Sequence, residues 1–242
     1  NASSSGKLTM QDIFSNKSML IDIIKNRLVL NWVSSSDETF TINYNAIITG
    51  MRNTGKAASI SMFKPTIAKY VCEKYSEPGD VVGDYSCGFG GRLLGAMSCG
   101  RKYIGTDPLT ADELVKMCEY FAFKDAKIIK ECSENYIGQE NSIDLYWSSP
   151  PYYNQEIYSK DKSQSYNNGE DYFYNVYWKK TLENVKYALK PGKWFGLNIK
   201  NFPKMLKMAE DVFGPYVETV NLKSVRSHLT NSSGKEKVEY IY

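Results

Sequence analysis

The chain has 242 residues and a single histidine, His228. That scarcity argues against a His-based catalytic triad and against a histidine-rich metal site. Five cysteines, Cys72, Cys87, Cys99, Cys118 and Cys132, form no C-x-x-C pair. Their odd number and wide spacing argue against a disulfide framework or a zinc site. Reduced thiols in a cytoplasmic protein are the plain expectation. No run approaches the ~18 apolar residues of a membrane span, so no membrane partner is expected. Asn1 to Lys7 lacks the charged-then-apolar order of a signal peptide and reads as a lead-in. Charge lacks a dominant sign: 30 Lys and Arg against 27 Asp and Glu leave a net +3. This neither announces nucleic-acid binding nor excludes a local basic face. There is no internal repeat and no low-complexity tract.

What the chain has in excess is tyrosine, 19 residues. Such rings serve either as half-buried core or as platforms for stacking. The rest of the composition is that of an ordinary soluble globular protein. Its length suits one domain with a small appendage.

Residues 8–32 carry apolar residues at helical spacing and predict one or two short helices. Residues 33–48 read as a loop and a short strand, and 49–63 as a polar, basic loop or a ligand-facing segment. From Lys64 onward the pattern is regular. Helices are expected over 66–75, 92–97, 110–123, 172–189 and 203–213. Strands are expected over 81–85, 102–106, 126–131, 143–148 and 193–199, with two more at 217–222 and 238–242. Strands alternating with helices predict an α/β domain with a mainly parallel sheet. The boundary is placed at 62/63: an N-terminal extension, 1–62, precedes the main domain, 63–242.

Two constellations carry chemistry. The first is Gly83-Asp84-Tyr85-Ser86-Cys87-Gly88-Phe89-Gly90-Gly91, between a strand and a helix. Glycines there allow a ligand close to the backbone, and the helix N-terminus offers free N–H groups. Position 93 is leucine, so the run is not a full G-x-G-x-x-G. Asp107 ends the next strand, where a carboxylate can accept both hydroxyls of a ribose. Dinucleotide-binding and S-adenosylmethionine-binding folds share this pair of features, and tight helix–strand packing would also account for the glycines.

The second constellation is Ser148-Ser149-Pro150-Pro151-Tyr152-Tyr153 at the end of the 143–148 strand. Two prolines lack N–H donors and fix φ, which makes a stiff turn with outward carbonyls. A rigid carbonyl beside a side-chain oxygen is a two-acceptor grip suited to an exocyclic amino group. Tyr152 would stack on the ring that bears the amine. In an open α/β sheet both constellations face one crevice.

Together these motifs resemble the S-adenosylmethionine-dependent amino-methyltransferases that methylate adenine N6 or cytosine N4 in DNA. Ser149-Pro150-Pro151-Tyr152 matches their [Asp/Asn/Ser]-Pro-Pro-[Tyr/Phe/Trp] signature, and Asp84 to Gly90 their glycine motif. Phe63-Lys64-Pro65-Thr66 matches the Lys-Pro helix start, Gly100 to Asp107 the ribose strand, and Ala188 to Phe195 the Leu-Lys-Pro-Gly turn. The likeness covers roughly 63–200, with the motifs in order. Ser-Cys-Gly-Phe-Gly-Gly-Arg and Ser-Pro-Pro-Tyr-Tyr more particularly resemble phage and prophage DNA methylases, which suggests a restriction-modification setting.

The resemblance implies a Rossmann-like fold, a seven-stranded mainly parallel sheet flanked by helices with an antiparallel C-terminal edge. It implies S-adenosyl-L-methionine as cofactor, no metal, and DNA as partner. Lys64, Pro65, Asp84, Tyr85, Ser86, Cys87, Gly88, Gly90, Asp107, Pro108, Glu134 and Ser148 would form the cofactor site. The backbone at Ser86–Gly90 would hold the methionine part, Asp107 the ribose and Glu134 the adenine amino group, although Glu134 reads equally well as a surface acid. Ser149 and the Pro150 carbonyl, with Pro151 and Tyr152, would form the acceptor site.

Two departures stand out. The glycine motif opens Asp84-Tyr85-Ser86 rather than Asp-Pro-Phe, and no block large enough for a separate recognition domain is visible. Recognition then falls to the first 60 residues, the 154–175 loop, the C-terminal tail, or a separate domain or subunit. Lys200, Lys204, Lys207, Lys223 and Arg226 are candidate phosphate contacts or simply solvated charges. The competing functions are an RNA or protein-glutamine methyltransferase, a nicotinamide oxidoreductase, which would leave Ser-Pro-Pro-Tyr without a role, and a non-catalytic nucleic-acid-binding module.

Overall fold

The computed structural model describes residues 10–29, 35–36, 39–40, 44–53, 62–153, 161, 163–199, 202–222 and 237–242. His228, Lys162, Lys200, Lys223 and Arg226, and the whole 154–160 stretch of the long loop, Lys160 included, lie outside them. The described residues fall in two compact units, one within Asn1–Ser61 and one comprising Met62–Tyr153 and Asp161–Tyr242.

The first unit contains α1 (Met10–Ser15), α2 (Lys17–Val29), the antiparallel pair β1 (Ser35–Ser36) and β2 (Thr39–Phe40), and α3 (Tyr44–Asn53). Its core is Ile13, Ile23 and Met51, with Met19, Ile47 and Ile48 packed against it. Helix α3 replaces the strand and loop expected there. Ile47, Ile48 and Met51 fall on one helical face, and burying them outweighs the polar residues around them.

The second unit begins with α4 (Pro65–Tyr75), β3 (Val81–Asp84), α5 (Gly91–Ser98), β4 (Lys102–Thr106), α6 (Ala111–Tyr120), β5 (Ala126–Ile129) and β6 (Ile143–Ser148). A π-helical segment, Tyr172–Trp178, runs directly into α7 (Lys179–Ala188). Then come β7 (Leu189–Ile199), α8 (Pro203–Phe213), β8 (Glu218–Leu222) and β9 (Lys237–Ile241). The sheet order is β5-β4-β3-β6-β7-β9-β8. The pairs from β5 to β7 are parallel, and β9 is antiparallel to both β7 and β8. This is the expected seven-stranded sheet with its antiparallel C-terminal edge.

Strand β6 is buried at every position, as a parallel strand covered on both faces should be. Its alternation divides two cores. Tyr146 packs with Tyr85, Trp178 and Phe195 on one face, while Leu145 and Trp147 pack with Val71, Leu93 and Tyr103 on the other. The chain winds outward from β3 to β4 and β5, then returns to place β6 on the other side of β3. That reversal opens a crevice at the carboxyl ends of β3 and β6. No helix among the described residues is long and apolar enough to cross a membrane.

Helices α4 and α5 cross where Gly95 faces Ala68. A Cβ on Gly95 would lie 2.2 Å from the Ala68 Cβ. Replacing an exposed helical glycine with alanine normally gains about 1 kcal/mol. Here we expect Gly95→Ala to destabilise by roughly 1–3 kcal/mol through overpacking. The loss is read as a lower urea midpoint at unchanged slope; a raised midpoint would contradict this close helix contact.

Candidate active site

At the end of β3 the Asp84 side chain is almost fully buried. Its Oδ1 accepts from Ser148 Oγ (2.6 Å), the Ser86 N–H (3.1 Å) and Arg92 Nη2 (3.3 Å). Its Oδ2 accepts from Tyr103 Oη (2.6 Å) and Arg92 Nε (2.7 Å). Arg92 also donates to the Ser86 carbonyl. Burial pulls the Arg92 guanidinium down, but Asp84 beside it more than restores the charge and holds it above its ordinary range. Burial, then Asp84, raises the Tyr103 phenol, which therefore stays a donor.

The structure turns the Asp84 and Ser148 side chains toward each other. Both oxygens of Asp84 are filled by protein donors, and Ser148, which is fully buried, donates to it. They support the site from beneath. Tyr85 and Cys87 likewise turn inward: the Tyr85 ring packs against Trp178 and Phe195, and Cys87 is buried with its thiol raised first by desolvation. What these residues present to the crevice is backbone.

The loop above them is shaped by Gly88 and Gly90, with φ of +54° and +79°, a region side chains rarely tolerate. The Gly88 N–H donates to Asp107 Oδ2 (3.0 Å), and the Leu109 and Thr110 N–H groups donate to Asp107 Oδ1 (2.9 Å each). Asp107 thus joins the glycine loop to the start of α6. A carboxylate offers about four acceptor positions, so one remains, on Oδ2. Pro108 follows, half-buried. Lys64 is exposed at the N-cap of α4 with Pro65 at the first helical turn. The preceding Phe63 ring lies edge-on to Trp147 (5.1 Å) and beneath the Arg92 guanidinium (5.5 Å). These contacts bring the Lys-Pro turn to the glycine loop.

Past the end of β6, Ser149 and Pro151 are half-buried and Pro150 is buried. The Tyr152 ring is buried and stacks on Phe202 at 4.9 Å and 15°. The sequence reading gives that ring to a substrate base, whereas here Phe202 covers one of its faces. Tyr153 packs on Phe173 and Tyr174 of the π-helical segment. Lys204 sits 3.7 Å from the Tyr174 ring centroid and 3.7 Å from Glu170, and Lys207 pairs with Asp211 at 2.8 Å.

Glu134 is buried, not a surface acid. Its Oε1 accepts from Tyr172 Oη (3.0 Å), and its Oε2 has no partner among the described residues. Burial raises its carboxyl, and the Tyr172 hydrogen bond opposes that rise. Sequence reasoning missed Arg92, Tyr103, Tyr172, Tyr177 and Phe202. The available signals were an arginine directly after the glycines and the aromatic density of 172–178.

No protein-family model and no curated protein sequence matches the chain, but solved structures do. A 1,6-didemethyltoxoflavin-N1-methyltransferase from Burkholderia thailandensis, solved with S-adenosylhomocysteine, superposes with a TM-score of 0.54 at 10% identity over 86% of this chain and 93% of that one. The fold is that of the Rossmann-like, S-adenosylmethionine-dependent methyltransferases. A geranyl diphosphate C-methyltransferase from Streptomyces coelicolor A3(2) gives 0.52 at 12% identity over 85% of each chain. A T. thermophilus 16S rRNA N2 G1207 methyltransferase gives 0.51 at 19%, covering 76% of this chain and 43% of that one. At such identities it is the fold that is shared.

Within this fold, removing the central carboxylate has a clear expected cost. Asp84→Ala would leave a buried guanidinium unpaired and two buried hydroxyls without an acceptor. We expect a loss of about 3–5 kcal/mol in urea unfolding; a loss below about 1 kcal/mol, the worth of a surface pair, would refute the central role.

Proposed function

We propose that the protein transfers a methyl group from S-adenosylmethionine to the exocyclic amino group of a base in DNA, cytosine N4 or adenine N6. The observation that carries this reading is a juxtaposition. The glycine turn after β3, Asp107 after β4 and Ser149–Tyr152 after β6 all end at one crevice, and the Ser148–Asp84 hydrogen bond ties two of them together.

The residues present fit the cofactor. Gly88 and Gly90 adopt positive φ that side chains rarely tolerate, Asp107 retains one acceptor position, and Glu134 Oε2 is a buried polar atom with no partner among the described residues. Ser86–Gly90 with Lys64 and Pro65 would hold the amino-acid part, Asp107 and Pro108 the nucleoside, and Glu134 the purine amino group. When bound, the cofactor supplies an electrophilic methyl group on sulfur. Ser149 Oγ and the Pro150 carbonyl would accept the two N–H groups of the target amine, which aims its lone pair into the crevice, and one of these protons would leave to water once the nitrogen carries the methyl group. Tyr152 holds the base plane once Phe202 yields that face or shares it. Catalysis of this kind is chiefly positioning. Nothing in the scheme calls on a metal, a histidine or a membrane. DNA contacts would come from the segment after Tyr153, from Lys204, and from a separate recognition domain or subunit.

RNA is the second reading. The T. thermophilus protein is named for a guanine N2 group, also an exocyclic amine on a base.

Labelled S-adenosylmethionine is incubated with unmethylated DNA and, separately, ribosomal RNA, and the nucleosides are resolved by mass spectrometry. N4-methyl-2′-deoxycytidine or N6-methyl-2′-deoxyadenosine from DNA is the expected product; label in RNA alone would replace DNA as the substrate. Tyr152→Ala should slow transfer by roughly 10- to 100-fold, as expected for about 1–3 kcal/mol of lost stacking. S-adenosylhomocysteine affinity should change by less than about threefold. Equal losses in both would remove Tyr152 from the acceptor site.

A further inference from the structure

The segment Tyr172–Trp178 is π-helical: the Lys179 N–H that closes it donates to the Tyr174 carbonyl, five residues back. In an α-helix, at about 3.6 residues per turn, positions five apart point to different sides. In the i→i+5 register they lie nearly above one another. Here the two positions are Tyr172 and Tyr177. The Tyr172 hydroxyl donates to Glu134 Oε1. The Tyr177 hydroxyl is buried beside Ser86, Ser133 and Glu134. Glu134 Oε2, in the same buried neighbourhood, has no partner among the described residues. Buried polar groups are normally satisfied, so this oxygen marks a place where a ligand supplies the missing partner. The same segment carries Phe173 and Tyr174, which receive Tyr153 from the acceptor turn.

We infer that Tyr172 is a positioning residue for the cofactor's purine, orienting Glu134 so that Oε2 accepts the exocyclic amino group, and that the π register delivers Tyr172 and Tyr177 to this one wall. The inference rests on the proposed cofactor. The chemistry is selective. An adenine amino group donates to Oε2, whereas the 6-oxo group of hypoxanthine presents an acceptor to an acceptor. Tyr172 enforces that distinction by occupying Oε1 and favouring the charged carboxylate. Groups facing Glu134 from the packed elements are Tyr172 and Tyr177 on the π segment, Lys180 on α7, and Glu131 and Cys132 on its own loop.

The test is calorimetric binding of S-adenosylhomocysteine and its inosine analogue, S-inosylhomocysteine, to the full chain. The unaltered protein should prefer the adenosine form. Tyr172→Phe should weaken that form by roughly 3- to 10-fold, the effect of one lost hydrogen bond, and leave the analogue unchanged. Loss of the Tyr172 donor lets the carboxyl protonate more easily, so the fall in adenosine affinity on acidification should begin at higher pH. In a Glu134→Gln background Tyr172→Phe should add nothing. Equal weakening of both ligands, or none of either, would overturn the role of Tyr172 while leaving the cofactor reading intact. Failure of the unaltered protein to bind S-adenosylhomocysteine would overturn both.

Discussion

Asp84 is a carboxylate withdrawn from water and surrounded by donors: two from Arg92, one each from Tyr103, Ser148 and the Ser86 N–H. A buried charge is tolerable only when so completely answered. The answering groups come from α5, β4, β6 and the glycine loop, so satisfying one carboxylate fixes four elements at the mouth of the crevice. The Arg92 bond to the Ser86 carbonyl and the Phe63 ring beneath the guanidinium extend the same arrangement to the loop and to the start of α4. The glycine turn is held by what lies under it, which frees its backbone to face outward.

The alternation of strand and helix from Lys64 onward was legible because most of the parallel strands are short, apolar and bounded by turn residues; β7 begins four residues before the expected 193–199 strand, through Lys190-Pro191-Gly192. The outline of the candidate site was proposed from residues of a related kind: Gly88, Gly90, Asp107 and the Pro-Pro pair have strong local conformational preferences wherever they occur. The illegible parts depend on what lies across space. Asp84 and Ser148 look like ligand contacts in sequence because they border the motifs, yet 64 positions apart they satisfy one another. Glu134 could not be told from a surface acid until Tyr172 and the π segment covered it. Helix α3 was hidden because three apolar residues among many small polar ones make a weak period on their own. The π register itself leaves little trace in sequence, since a run of aromatic residues suits an α-helix, a π-helix or a buried strand.

The two sides of the crevice differ in kind. The glycine-loop side is braced by charge-assisted hydrogen bonds to Asp84 and Asp107, which are directional and costly to break. The Pro-Pro side is an aromatic assembly in which Tyr152 lies on Phe202 and Tyr153 on Phe173 and Tyr174. Aromatic contacts are weaker one by one and tolerate sliding. On the proposed function, a base entering the site exchanges one flat partner of Tyr152 for another, so the stack given up is largely regained. A planar acceptor recovers that contact; an aliphatic one of equal size does not. The covered tyrosine therefore favours the nucleobase reading over small aliphatic acceptors, because the cost of opening the Tyr152–Phe202 stack is offset only by a ring that can replace Phe202.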